Sequence, residues 1–168
     1  MTPIPRLRLV VAGVCSAALM SSLPLTSAHA AVTTATFTVT ADVETTCNVT
    51  ANNLNFGAYT GVEVDSTTTL TATCSNGVPY TLGLNAGTST GGTVTTRKMT
   101  GPGADVLNYS LSQDAAHSVN WGDTIGADTV SGTGNGAAQA VTVYGRIPVS
   151  QFVGPGAYSD TITVTLTF

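Results

Sequence analysis

Apolar and polar residues alternate with period two at both ends of the chain, and this pattern limits what the chain can become. From Ala35 onward, Phe37, Val39, Ala41 and Val43 fall on one face, with Thr36, Thr38, Thr40 and Asp42 between them. At the other end, Tyr158, Ile162, Val164, Leu166 and Phe168 share a face, and Ser159, Thr161, Thr163, Thr165 and Thr167 lie opposite. Successive strand side chains point to opposite sides, so such runs specify strands with one buried face. The same reading predicts strands near 47–50, 54–59, 67–74, 79–85, 106–112 and 140–149. Asn76-Gly77, Gly91-Gly92, Gly101-Pro102-Gly103 and Gly154-Pro155-Gly156 supply turns between them. The stretch 122–138, rich in Gly, Asp, Thr and Ser, reads as a long loop. No helical periodicity is evident after residue 30. Seven or eight short strands in this length predict an all-β, immunoglobulin-like antiparallel β-sandwich.

The first thirty residues read as a signal peptide. Arg6 and Arg8 form a basic start, Leu9 to Leu19 an apolar stretch too short to span a membrane, and Ala28-His29-Ala30 a cleavage pattern. Its removal leaves 138 of the 168 residues, enough for one domain with a single core. It also leaves three basic residues against nine acidic ones. That balance argues against nucleic acid and anionic membranes as partners, because both need clustered Lys and Arg. Thr, Ser, Asn and Gly carry most of the polarity, which suits a neutral surface that packs against copies of itself.

Cys15 leaves with the signal peptide, and Cys47 and Cys74 remain as an even pair in an exported chain. They are expected to form a disulfide. No catalytic, cofactor-binding or metal-binding residues are expected. His117 is the last histidine, with Asp114 and Ser118 near it in sequence, but adjacency in sequence is not a triad and no nucleophile elbow is present. An exposed turn residue is the simpler reading of His117. Asp105, Asp114, Asp123 and Asp128 are scattered and read as solvated loop acids. Gly132 to Gly136 is glycine-rich but lacks the Lys and helix of a phosphate loop. Trp121 could stack on a sugar if exposed; a core or subunit-contact role is the default.

Several segments, taken in order, resemble a known family. Cys47-Asn48-Val49 with Leu54-Asn55-Phe56-Gly57-Ala58-Tyr59 is similar to the opening of the spore coat protein U domain. Arg97-Lys98-Met99, Leu107 to Leu111, Asp114 and Trp121-Gly122-Asp123 resemble its centre. Val143 to Pro148 and Pro155 to Thr161 resemble its close. That family includes the major subunits of archaic chaperone–usher pili, which build adhesive, biofilm-promoting fibres. The resemblance implies an incomplete sandwich at 44–168, completed by a donor strand. A periplasmic chaperone would fill the gap first. The N-terminal strand of the next subunit would replace it at an outer-membrane usher, giving a head-to-tail polymer on the cell surface. Carried over, the donor is the segment 31–43, with Phe37, Val39, Ala41 and Val43 as plugs. The acceptor groove is lined by Tyr158, Ile162, Val164, Leu166 and Phe168. Two other readings stay open: a secreted spore-coat-type structural protein, and a monomeric carbohydrate-binding β module with Trp121 exposed.

Overall fold

A computed structural model describes residues 29–168; the expected signal peptide lies almost wholly outside them. The chain divides after Ala41 into two units. In the first, the described residues carry no strand, and Phe37 is 87% exposed. The alternation is there, but a strand exists only where a partner takes up its backbone N–H and C=O groups.

The second unit holds eight strands and one short 3-10 turn at Pro102–Ala104. The strands are β1 (Cys47–Ala51), β2 (Val64–Cys74), β3 (Pro79–Leu84), β4 (Arg97–Thr100), β5 (Val106–Ser112), β6 (Val130–Thr133), β7 (Ala138–Ile147) and β8 (Val164–Thr167). They form a five-stranded sheet in the order β1-β2-β7-β5-β4 and a three-stranded sheet in the order β6-β3-β8, antiparallel throughout. The all-β two-sheet architecture is the one expected.

The period-two pattern sets the register. Leu70, Ala72 and Cys74 of β2, Leu107, Tyr109 and Leu111 of β5, and Val143 and Ile147 of β7 are buried against Tyr80, Leu82 and Leu84 of β3. A slip of one residue would turn each of these sets to water. Cys47 lies opposite Cys74 in the β1–β2 ladder, and the two form the expected disulfide.

Three strand expectations need correction. The 54–59 stretch is not a strand: Gly57 has a φ of +73° and its N–H donates to Asn55 Oδ1 at 2.8 Å, a side-chain turn that breaks extension. The 122–138 stretch is not all loop, because β6 pairs with β3 there. The single large apolar residue of β6, Val130, is too little to show alternation. The terminal run begins its ladder only at Val164. Before that it bridges to β4 through Thr100 and Ser159, then crosses to the other sheet to pair with β3. A chain changing sheets cannot keep one ladder. β4 itself carried no strand expectation.

Candidate functional site: an open furrow between the two sheets

β1 and β8 are edge strands of different sheets. They come within 8 Å of one another but share no ladder. Beyond them the sandwich opens into a furrow. One wall is the segment 51–61 that follows β1; the other is the segment 152–164 that leads into β8. Two depressions, of about 570 and 690 Å³, share Leu54, Asn55, Phe56, Met99 and Tyr158 and so adjoin one another along it. Its floor is core: Leu70, Leu84, Tyr109, Leu111 and Val143 line it.

Close packing behind the walls positions them. Gly145 of β7 has no side chain, and Leu54 and Phe56 occupy the space where one would stand. Phe56 meets Tyr109 edge-to-face, with ring centroids 6.1 Å apart. Gly101 likewise admits the ring of Tyr158, whose hydroxyl donates to Gly154 O at 2.7 Å. Tyr59 Oη donates to Pro148 O at 2.7 Å and accepts from Gln151 N, tying the first wall to the segment that leads into the second.

Asp160 fixes the crossing segment. Burial of its carboxylate raises its pKa. Tyr109 Oη at 2.7 Å and Thr88 N–H at 2.8 Å more than offset that, with the Thr161 N–H and the Thr88 hydroxyl adding to them, so the group sits below the usual carboxylate range. Burial pushes the Tyr109 hydroxyl well above its ordinary value, and the bond to Asp160 adds to this, so it stays a neutral donor.

Under the furrow's far side, Arg97 is completely buried. It donates to four backbone carbonyls, those of Asn85, Val94, Leu84 and Trp121, at 2.7–2.8 Å. Burial lowers its pKa, against the pull of Tyr109 and of the carboxylates of Asp123, Asp160 and Asp128. Trp121 is buried beside it and donates its indole N–H to Leu82 O at 2.9 Å. The tryptophan therefore belongs to the core, and the sugar-stacking role that required its exposure falls.

Of the residues the resemblance assigns to an acceptor groove, the structure places Tyr158, Ile162 and Val164 along the furrow. Leu166 is half-buried against the core, outside the furrow lining, and Phe168 is 59% exposed beside Tyr80 and Ile125. The four expected plugs, Phe37, Val39, Ala41 and Val43, are all exposed. Sequence reasoning missed the opposite wall as part of the site, although Leu54 and Phe56 already alternate with Asn53 and Asn55. It also missed Asp160.

His117 corrects another expectation. It stands in a turn, with a φ of +55°, but its side chain is only 7% exposed. Its Nε2 lies 3.5 Å from Asp65 Oδ1, and its ring meets Tyr144 edge-on. Asp65 in turn takes a bidentate pair of bonds from Arg146, both at 2.7 Å. Asp114 is not a free loop acid either: it accepts from Ser118 N and Oγ and from Val119 N. Among the described residues no group of three or more His, Cys, Asp or Glu could hold a metal ion, and no helix is long and apolar enough to cross a membrane.

Fold and furrow together define an all-β sandwich of two antiparallel sheets, left open between one edge of each. The chain belongs to the Spore Coat Protein U domain family, whose model matches residues 33–165. It is 33% identical to Protein U of Myxococcus xanthus over 179 residues, covering 96% of this chain and 98% of that protein. It also resembles a chain in the crystal structure of the CsuC–CsuE chaperone–tip adhesion subunit pre-assembly complex, from the archaic chaperone–usher Csu pili of Acinetobacter baumannii. That match has a TM-score of 0.58 and 23% identity, and covers 75% of this chain but only 40% of that one. At such identity the likeness is one of fold.

Proposed function

We propose that this protein is a structural subunit of an exported, cell-surface fibre, polymerised by donor-strand complementation. The observation that carries the reading is the pairing of two unfinished parts in one chain. The furrow leaves the edges of β1 and β8 without a common neighbour, and residues 35–43 offer an exposed segment in which apolar residues alternate with polar ones. An added strand supplies backbone hydrogen bonds to open edges, and its alternate side chains fill the pockets below. Phe37, Val39, Ala41 and Val43 are the plugs, and Tyr158, Ile162 and Val164 are among their receivers. Burying four such side chains contributes on the order of 5–10 kcal/mol before ordering costs. Head-to-tail insertion is heterologous and propagates as an open filament.

A periplasmic chaperone would cover the furrow before assembly, and an outer-membrane usher would exchange it for the next subunit. The likeness to a chain of a chaperone–tip adhesion subunit complex supports this, as it supports a role in adhesion. The work is mechanical and needs no catalysis. A second reading, a coat-type protein assembling without a pilus, is favoured by the match to Protein U and dispenses with the chaperone.

The test compares the chain from residue 31 with one beginning at residue 44. The longer form should give heat-resistant oligomers. The shorter should stay monomeric and bind a synthetic 31–43 peptide. Two equally stable monomers, with no peptide binding, would end the reading.

A further inference from the structure

Phe152 is 90% exposed, yet it is not loose on the surface. Its ring rests on Gly61, where Cε1 stands 3.4 Å from the position a Cβ would take. Ser150 N–H donates to Gly61 O at 2.9 Å, which pins the 148–152 segment to the 60–62 turn. Val62 and Val149, the neighbours of those two bonded residues, are exposed as well. The result is a firm apolar shelf. It adjoins the furrow, because Gly61 and Phe152 line the end opposite Ala51 and Val164. The Ala51 end is bordered instead by Asn52 and Asn53.

We propose that this shelf is the exit of the furrow and carries Asp42 to Thr46 of a second copy of this chain, with Val43 seated on Phe152. The inference rests on the donor-strand reading above and adds a direction and a contact to it. The donor segment is itself lopsided. Its apolar alternation, Phe37, Val39, Ala41 and Val43, ends on Val43, 93% exposed, while the residues that precede it on the same face, Ala31, Thr33 and Ala35, are small or polar. Matching the apolar end of the segment to the apolar end of the furrow places Val43 at the shelf. The same direction runs antiparallel to the wall that leads into β8, the better ladder geometry. Only three residues then separate Val43 from Cys47, which the disulfide holds to Cys74. Four Cα steps span at most about 14 Å. The neighbour's folded domain must therefore begin beside the shelf, and the shelf is covered in the assembled fibre.

The experiment places a photo-crosslinker in the chain from residue 31, as Phe152→benzoylphenylalanine, with Ile162→benzoylphenylalanine as a furrow control. After assembly and illumination, adducts are mapped by mass spectrometry. Position 162 should capture residues 31–41 of another copy, and position 152 should capture residues 42–46. Capture at 162 with none at 152, or capture of residues 31–36 by 152, overturns the shelf while leaving the polymer intact. Capture at neither position overturns both. A second measurement does not depend on the crosslinker. Phe152→Ser changes a surface residue, so the subunit should fold and assemble, but 31–43 peptide should leave its furrow about tenfold faster, the loss of roughly one apolar contact. An unchanged off-rate overturns the shelf.

Discussion

Tyr109 Oη donates to Asp160 Oδ2 at 2.7 Å, joining the floor of the furrow to its wall. Asp160 also accepts from the backbone of Thr88 and Ser89, so a single carboxylate holds β5, the connection after β3 and the crossing segment together. These bonds tether the wall of the furrow to its floor and to the connection behind it.

Asp160→Asn should therefore loosen the wall. The amide keeps one acceptor but loses the charge, and hydrogen bonds to a charged group are worth about 1.5–3 kcal/mol each at most. A loss of about 2–3 kcal/mol in urea unfolding is expected. The pH dependence has a definite sign. The folded pKa lies below the unfolded one, so the stabilisation is present above the unfolded value near 3.9 and is lost as pH falls through the folded value. Stability of the unmodified protein should fall below about pH 5. The Asn variant should show a shallower decline over the same range. Parallel curves would mean that Asp160 is not the titrating tether.

Cys47 and Cys74 stand 27 residues apart in sequence and cross-link β1 to β2 at the edge of the five-stranded sheet. Cross-linking a loop of that length removes unfolded-state entropy worth about 3.5 kcal/mol. Replacing both with Ser should cost roughly that amount. β1 should open first, since an edge strand has one ladder only. Hydrogen exchange at 48–51 should rise before exchange in β7 does. Equal protection of both strands would argue that the bond secures the whole domain instead of its edge.

Part of this was legible in the residues. The alternating faces of β2, β3, β5 and β7 were plain because each carries at least three apolar side chains on one face, and the disulfide followed from an even pair of cysteines. The furrow was half legible. Tyr158, Ile162 and Val164 announced one wall, but the other runs through Leu54 and Phe56, where a turn at Gly57 replaces the strand that their spacing suggests. What could not be read were contacts made across long sequence distances by polar side chains. Asp160 reaches 72 residues back to Thr88, and His117 is buried only because Asp65 and Tyr144 of β2 and β7 stand beside it. Composition makes such residues look like surface; only the topology brings their partners to them.

Arg97 is the clearest case of a charge that serves the core. Its guanidinium satisfies four carbonyls that no ladder reaches, and it sits against Trp121 without a direct carboxylate bond. Arg97→Met should leave those carbonyls unpaired and destabilise by about 3–5 kcal/mol. Arg97→Lys should recover little, because one ammonium cannot serve a fork of four acceptors. Near-ultraviolet circular dichroism of Trp121 reports the damage locally. A Lys variant with intact stability and an unchanged tryptophan signal would show that charge matters here and fork geometry does not.

Gly145 offers a way to narrow the furrow from beneath, through the wall residues Leu54 and Phe56 that pack on it. A Cβ at this position would stand 2.6 Å from Leu54 Cδ2 and 2.8 Å from Phe56 Cζ. Both contacts are the far ends of flexible side chains, so Gly145→Ala should fold with a loss of about 1–2 kcal/mol and displace the two side chains into the furrow. On the donor-strand reading, a 31–43 peptide should then bind the 44–168 domain at least tenfold more weakly, a loss of about 1.4 kcal/mol. Ala140→Gly, on the exposed face of the same strand, is the control for general weakening of β7. Isothermal titration separates the two, because only the Ala substitution should cut affinity beyond its effect on stability. Equal affinity for the Gly145→Ala and unmodified domains would show that Leu54 and Phe56 are not part of the receiving surface, and the wall would have to be sought on the β8 side alone.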